Sequence, residues 1–318
     1  MSRPELLPWQ AAQWQQVQAS SKAGRLAHAL MLAGPRGVGK QDFALRLSAW
    51  LLCEARGDEP CGACRGCLQF SAGTHPNFFV LEPEPDKRDI SVEAVREVIG
   101  KLSLTAHYGG AKVAMVKPAD ALNVNGVNAL LKTIEEPTLG THILLLTDRP
   151  GLLAPTLRSR CQAIRFAVPA EEQSIAWLRA QGHAHPEPAL QAANGAPLRA
   201  LHLITEGLID RYAQWQRSVE SVATGKESPL AIAKDMDKAK AASFIEWLIA
   251  WLTSLQKTLV STSSRWNGLD AAAVDALTQR CIEALKRLQL SAPPPLTVES
   301  IMISLSQLSR TPIKEMRA

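Results

Sequence analysis

At 318 residues the chain exceeds the size of a single hydrophobic core, so two or three domains are expected, and 46% hydrophobic with 20% charged residues is the composition of an ordinary folded protein. A formal charge of +5 is mild for this length and excludes the class of proteins that coat nucleic acid, while leaving room for a local basic surface. No apolar run reaches the roughly 18–20 residues that span a bilayer, and the opening "MSRPELLPWQ" carries no signal-peptide stretch; a cytoplasmic protein with no membrane partner is expected.

Residues 1 to about 168 alternate short apolar runs with helical patterns, as in βα units that build a parallel sheet. The first candidate strand, "HALMLAG", runs into "GPRGVGKQ", residues 34–41. A glycine-rich turn between strand and helix lets backbone amides surround phosphate oxygens, helped by the positive helix end, while a lysine reaches the outer phosphates. Gly34, Gly37, Gly39 and Lys40 fit that pattern. Gln41 stands where a Ser or Thr hydroxyl would hold magnesium, and its longer amide presents oxygen poorly to a small octahedral ion.

Four of the six cysteines then crowd into residues 53–67. Cys53 and the "CGACRGC" run, with Cys61, Cys64 and Cys67, offer four thiolates in one short excursion, with Gly62 and Gly66 easing the turns and Arg56 and Arg65 offsetting negative charge. Such a cluster suits tetrahedral zinc in a closed, structural site. An iron–sulfur cluster also takes four thiolates, but its usual spacings differ. His75 is a conceivable substitute ligand, and more commonly such a histidine belongs to a loop or strand edge.

Further candidate strands are "FFVLEP", "KVAMVK", "HILLLT" and "AIRFA". Between them, Val92, Val95, Ile99 and Leu102 form an amphipathic stripe behind the N-cap candidate Ser91, and "NGVNALLKTIEE" places Val127, Leu130, Leu131 and Ile134 on one face before Pro137 stops the helix. "KVAMV" is where a P-loop enzyme carries its magnesium-binding acid, yet Lys117 and Pro118 follow it and Asp120 comes three residues late. An ammonium there repels a metal. With Gln41, this predicts little or no ATP hydrolysis; nucleotide binding without hydrolysis and a purely structural loop both stay open.

"TLRSRCQAIRF" sets Arg158 and Arg160 on a polar turn before the last strand. A solvated surface pair is the commoner reading of two arginines, but in P-loop assemblies one subunit's arginine stabilises phosphate charge in the next subunit's site. From 169 to 207 the texture changes to short helices between Gly and Pro, and from 208 to 318 long Ala-, Leu- and Trp-containing helical patterns dominate. Trp247 and Trp251 at helical spacing read as packing residues.

Taken together, "LAHALMLAGPRGVGK", "CGACRGC", "AGTHPNFFVLEP", "VEAVREVIGKL", "GGAKVAMV", "NALLKTIEEPT" and "LAPTLRSRCQAIRF" closely resemble the delta-prime family of bacterial DNA polymerase III clamp-loader subunits, within the larger AAA+ family. The resemblance covers about residues 9–168. It implies a RecA-like AAA+ domain over 1–168 with a zinc module, a helical lid over 169–207 and a helical collar over 208–318. It also implies that Arg160 of "SRC" is a finger reaching ATP on an adjacent motor subunit, that Arg158 supports the turn, and that Thr147 and Arg199 match the two sensor positions. The implied partners are the tau/gamma motor subunits, the delta subunit, the sliding clamp and primed-template DNA. The alternative is an active ATPase motor subunit, and a zinc-finger nucleic-acid module is a third reading that lacks basic and aromatic flanks around the cysteines. Glu135 and Glu136 of "IEEP" read as exposed helix-end charges.

Overall fold

A computed structural model of the chain describes residues 5–310 except 56, 86, 107–109, 235 and 263, with residues 289 and 310 described in backbone only. It divides into two compact units, one of residues 1–182 and 196–199, the other of 183–195 and 200–318.

The first unit is built on five parallel strands, β1 (Ala29–Ala33), β2 (Phe78–Leu81), β3 (Lys112–Val116), β4 (Thr141–Thr147) and β5 (Gln162–Arg165), in the order β2-β3-β4-β1-β5. All five stand where the apolar runs predicted them. The central strands read as unbroken apolar runs because helices cover both faces of the sheet, which leaves no polar side to alternate with. Alternate residues still divide between the faces. Ala29, Met31, Ala114, Val116, Ile143 and Leu145 join one core, while Leu30, Leu32, Val113, Met115, Leu144 and Leu146 join the other.

Helices α1 (Ala11–Lys22) and α2 (Lys40–Leu51) supply the second of these cores with Trp14, Val17, Phe43 and Leu47. A short helix, α3 (Arg65–Ser71), closes the cysteine excursion, carries Cys67 and buries Phe70 against Phe78, ring centroids 4.8 Å apart. Helices α4 (Val92–Ser103) and α5 (Val124–Glu135) cover the other face, and both begin at side-chain caps, Ser91 accepting from the Ala94 amide and Asn123 from the Gly126 amide. Val127, Leu130 and Ile134 are buried on α5 as the periodicity requires, and Val98 shares the buried stripe of α4. The unit also holds α6 (Pro155–Arg158) and α7 (Glu171–Ala180).

The second unit is helical: α8 (Glu187–Ala192), most of α9 (Pro197–Thr205), α10 (Leu208–Ala223), α11 (Pro229–Ala233), α12 (Lys238–Thr262), α13 (Ala271–Gln289) and α14 (Pro294–Arg310). Its core gathers Phe244, Trp247, Leu248, Leu277 and Met302, and Trp247 stacks on Trp251 at 5.9 Å, so the tryptophans serve packing. No helix among the described residues is long and apolar enough to cross a membrane.

One buried group in the first unit carries a pH consequence. His142 near the start of β4 has its Nδ1 buried without a partner, and burial, reinforced by the neighbouring His28, lowers its pKa to about 4. An unfolded histidine titrates near 6.5, so stability from this site is complete above that pH and falls as the pH drops toward 4, by about 3 kcal/mol in all. Denaturant unfolding between pH 7.5 and 4.5 is expected to show this slope, and His142→Phe is expected to flatten it.

Candidate functional site

The carboxyl ends of β1 and β4 meet in the crevice where open α/β sheets receive ligands. The P-loop lies there, between β1 and α2, with the Gly34 amide donating to the Thr147 carbonyl at 3.2 Å. Gly37 and Gly39 take φ of +84° and +86°, a left-handed backbone that other residues adopt only under strain. Gly34 serves close approach instead, since a Cβ there would lie 2.1 Å from the Phe166 carbonyl oxygen.

Two flanking segments press on the loop. Gln10, fully buried, donates through Nε2 to the Gly39 carbonyl at 2.7 Å, and the Trp9 indole donates to Val38 at 2.9 Å. From the other side the Leu198 amide donates to the Gly37 carbonyl, and a Cβ on Gly37 would fall 2.7 Å from Cβ of Arg199. Thus Gly34, Gly37, Gly39, Lys40, Thr147 and Arg199, scattered in sequence, are brought to one place.

Lys40 is 7% exposed and its ammonium is directed into the loop itself. It donates to the carbonyls of Gly34 and Pro35, both at 2.7 Å, and pairs with Asp148 at 2.6 Å. An ammonium has three protons to give, and these three acceptors match them. Asp148 was not among the residues singled out from sequence, although it directly follows Thr147.

The neighbouring charges are paired as well. Lys117, at the end of β3, is bridged to Glu82 at 2.9 Å. Asp120 accepts from the Thr147 hydroxyl at 3.2 Å with one oxygen and binds Arg149 at 2.6 Å with the other. The late acid therefore lies beside the sensor-like threonine, with both carboxylate oxygens engaged. Arg149, like Asp148, follows the strand tip and carried no motif of its own.

Arg158 is the last residue of α6, and Arg160 lies in the turn between α6 and β5, beside the carboxyl end of α5. Arg158 donates to the Pro150 carbonyl at 3.4 Å, consistent with support of the turn. Arg160, 41% exposed, donates through Nε to Glu135 and through Nη1 to the Thr156 carbonyl at 3.1 Å. Glu135 is thus a helix-end charge with a specific partner.

The cysteine excursion forms a second centre. The sulfurs of Cys53, Cys61, Cys64 and Cys67 all lie within 4.8 Å of one another, with Cys53 to Cys64 and Cys61 to Cys67 at 3.9 Å. Four thiolates about 2.3 Å from a tetrahedral zinc would be about 3.8 Å apart, so the donor set fits that ion. Backbone amides already face the sulfurs: Cys61 N to Cys53, Cys64 N to Cys61 and Cys67 N to Cys64, at 3.3–3.4 Å. Hydrogen bonds from the amides of Ala63 and Cys64 pull the Cys61 thiol down to about 6, which favours the thiolate a cation needs, whereas burial raises Cys67.

Of the two glycines in this excursion, Gly62 turns the chain at φ +75°, while Gly66 sits inside α3 because a Cβ there would meet the Leu52 carbonyl at 2.4 Å. His75 is buried beside the centre, its Nδ1 accepting from the Asn77 amide at 3.1 Å, and it does not join the four sulfurs. Arg56 lies outside the described residues.

A cavity of about 700 Å³ at the opposite end of the sheet is lined by Lys112, Thr138 and His142. Lys112 donates there to the Leu102 and Leu104 carbonyls and to Thr138, so its charge is already engaged.

Residues 9–170 match the family described as DNA polymerase III, delta subunit. Among curated proteins, the chain is 34% identical to the DNA polymerase III subunit delta' of Pseudomonas aeruginosa over 272 residues, 83% of this chain and 81% of that one. It is 37% identical to the protein of the same name from Escherichia coli, over 79% of this chain and 76% of that one. With the Haemophilus influenzae counterpart it shares 30% identity over 95% of both chains.

Proposed function

This chain belongs to the DNA polymerase III subunit delta' family, and from that membership we propose that it is the non-hydrolysing member of a clamp loader, supplying Arg160 in trans to ATP held by an adjacent tau/gamma motor subunit. With the motor subunits and the delta subunit it helps place the sliding clamp on primed-template DNA, in the cytoplasm where the chromosome is copied. The first 168 residues form the RecA-like AAA+ domain, residues 169–207 its lid and residues 208–318 the collar that joins the ring. The cysteine centre holds one structural zinc, with no open position for a reactive water.

One contrast carries this reading. Lys40 and Asp120 at the chain's own phosphate loop are buried and paired within the chain, and Lys117 is bridged to Glu82, whereas Arg160, though paired with Glu135, stands exposed at the surface. Gln41 and Lys117 replace the loop hydroxyl and the strand-end carboxylate that usually hold magnesium, and Asp120 and Asp148 are each paired with a cation. Thr147 and Arg199 keep the sensor places around a loop that does no chemistry of its own.

The test is magnesium-dependent ATP turnover by the purified chain, expected at background level; turnover above background would make the chain a motor subunit instead. Nucleotide affinity reports on the loop separately. Phosphate must displace Asp148 from Lys40, and both groups are anionic, so Asp148→Asn is expected to tighten ADP and ATP binding by about tenfold while hydrolysis stays absent. Fluorescent-nucleotide titration of the two proteins measures it.

A further inference from the structure

Among the described residues Arg160 is held by two contacts, and they leave a particular part of it uncommitted. Its Nε donates to the Glu135 carboxylate and its Nη1 to the backbone of Thr156. A guanidinium is a rigid planar fork with five N–H groups, so fixing Nε and one Nη fixes the plane and the direction of the remaining Nη2 edge.

The base of this clamp is rigid. Glu135 is the last residue of α5, preceded by the buried Ile134, whose carbonyl lies 2.6 Å from His28 Nε2. That contact ties the helix end to the start of β1. Thr156 belongs to α6, whose Leu157 is fully buried in the same core as Leu130 and Ile134.

Stability does not explain the placement of Glu135. A carboxylate at a helix carboxyl end opposes the helix dipole, at a cost of about 0.3–1 kcal/mol, and with Arg160 at 41% and Glu135 at 48% exposure the ion pair adds little in return. What the pair does supply is orientation. A free arginine at the surface samples many rotamers, and confining it beforehand lowers the entropy lost when it meets a phosphate.

We infer that Glu135 is the positioning residue of the arginine finger: it holds Arg160 through Nε so that the Nη2 edge is presented to the γ-phosphate of ATP on the adjacent subunit. This rests on the role in trans given to Arg160 above. Glu135 itself touches neither nucleotide nor reacting atoms. Its charge matters less than its oxygen, because an amide oxygen in the same place can also accept from Nε–H.

The experiment compares DNA-stimulated ATP hydrolysis by the complete reconstituted clamp loader carrying Glu135→Ala, Glu135→Gln, Arg160→Ala or the Glu135→Ala/Arg160→Ala pair. Glu135→Ala is expected to lower the single-site rate at the adjacent motor subunit, resolved by pre-steady-state measurement, about five- to tenfold with the KM for ATP within about twofold, on the scale of a misplaced but intact catalytic group. Glu135→Gln is expected to recover at least half of the wild-type rate, and Glu135→Ala to have no further effect once Arg160 is gone. Wild-type turnover by Glu135→Ala beside a slow Arg160→Ala would overturn this inference and leave the finger intact. A loss of the same size in both backgrounds would also overturn it, by making Glu135 a structural residue. Wild-type turnover by Arg160→Ala would remove the finger role itself.

Discussion

Replacing Arg160 by alanine is expected to slow ATP hydrolysis at the adjacent motor site by on the order of a thousandfold, the effect an arginine finger has in other phosphoryl-transfer systems. Charge spreads over the γ-phosphoryl oxygens in the transition state, and a guanidinium arriving from outside the site stabilises it with hydrogen bonds that the ground state uses less fully. Motor sites that Arg160 does not face are expected to keep their rate. DNA-stimulated steady-state turnover therefore falls by a smaller factor than the single-site rate, and pre-steady-state measurement resolves the silent site. The substitution is expected to leave folding unchanged, because Arg160 is 41% exposed and, among the described residues, makes a surface ion pair and one backbone hydrogen bond. Arg160→Lys is expected to recover little, since one ammonium cannot both bind Glu135 side-on and offer a second edge to phosphate. Wild-type turnover by Arg160→Ala would exclude the trans role.

Removing the metal is expected to have the second large effect, on the segment from Cys53 to Ser71. That stretch contains one short helix and is held to the domain core by Phe70, by the approach of Gly66 to Leu52 and by polar contacts of Gly57, Asp58 and Glu59 with Trp50, Lys22, Gln18, Arg46 and Trp14. Zinc bound by four thiolates contributes roughly 10–16 kcal/mol in isolated finger peptides, far more than those contacts provide. The purified chain is expected to carry one zinc. A strong chelator, or Cys64→Ser, is expected to release it, to expose Cys53 and Cys67 to thiol reagents and to abolish amide protection in α3. Metal content, thiol titration and hydrogen exchange follow the three outcomes. The sheet, with its cores on both faces, is expected to persist, and full thiol protection after complete metal loss would show that packing alone maintains the segment.

Much of this protein is legible along the chain. Continuous apolar runs mark β1, β3 and β4 because both faces of a parallel sheet are covered, and the 3.6-residue stripes of α4 and α5 follow from packing on one face only. The cysteine centre is legible for a different reason: its four thiols come from fifteen consecutive residues, so spacing alone implies their meeting. Gly37 and Gly39 declare themselves because the turn needs positive φ.

The partners of these groups are another matter. Asp148 opposite Lys40, Glu82 opposite Lys117, Arg149 on Asp120 and Glu135 on Arg160 are all ordinary charged residues in sequence, and each pair joins segments 25 or more residues apart. The sequence by itself determined the elements, the thiolate set and the defects at Gln41 and Lys117, since these depend on residue type, local periodicity and short spacing. Only the tertiary structure decided that the phosphate loop is neutralised from within and that Arg160 is held side-on at the surface, because the order β2-β3-β4-β1-β5 sets which strand ends and helix ends meet, and a charge takes its function from what it meets there.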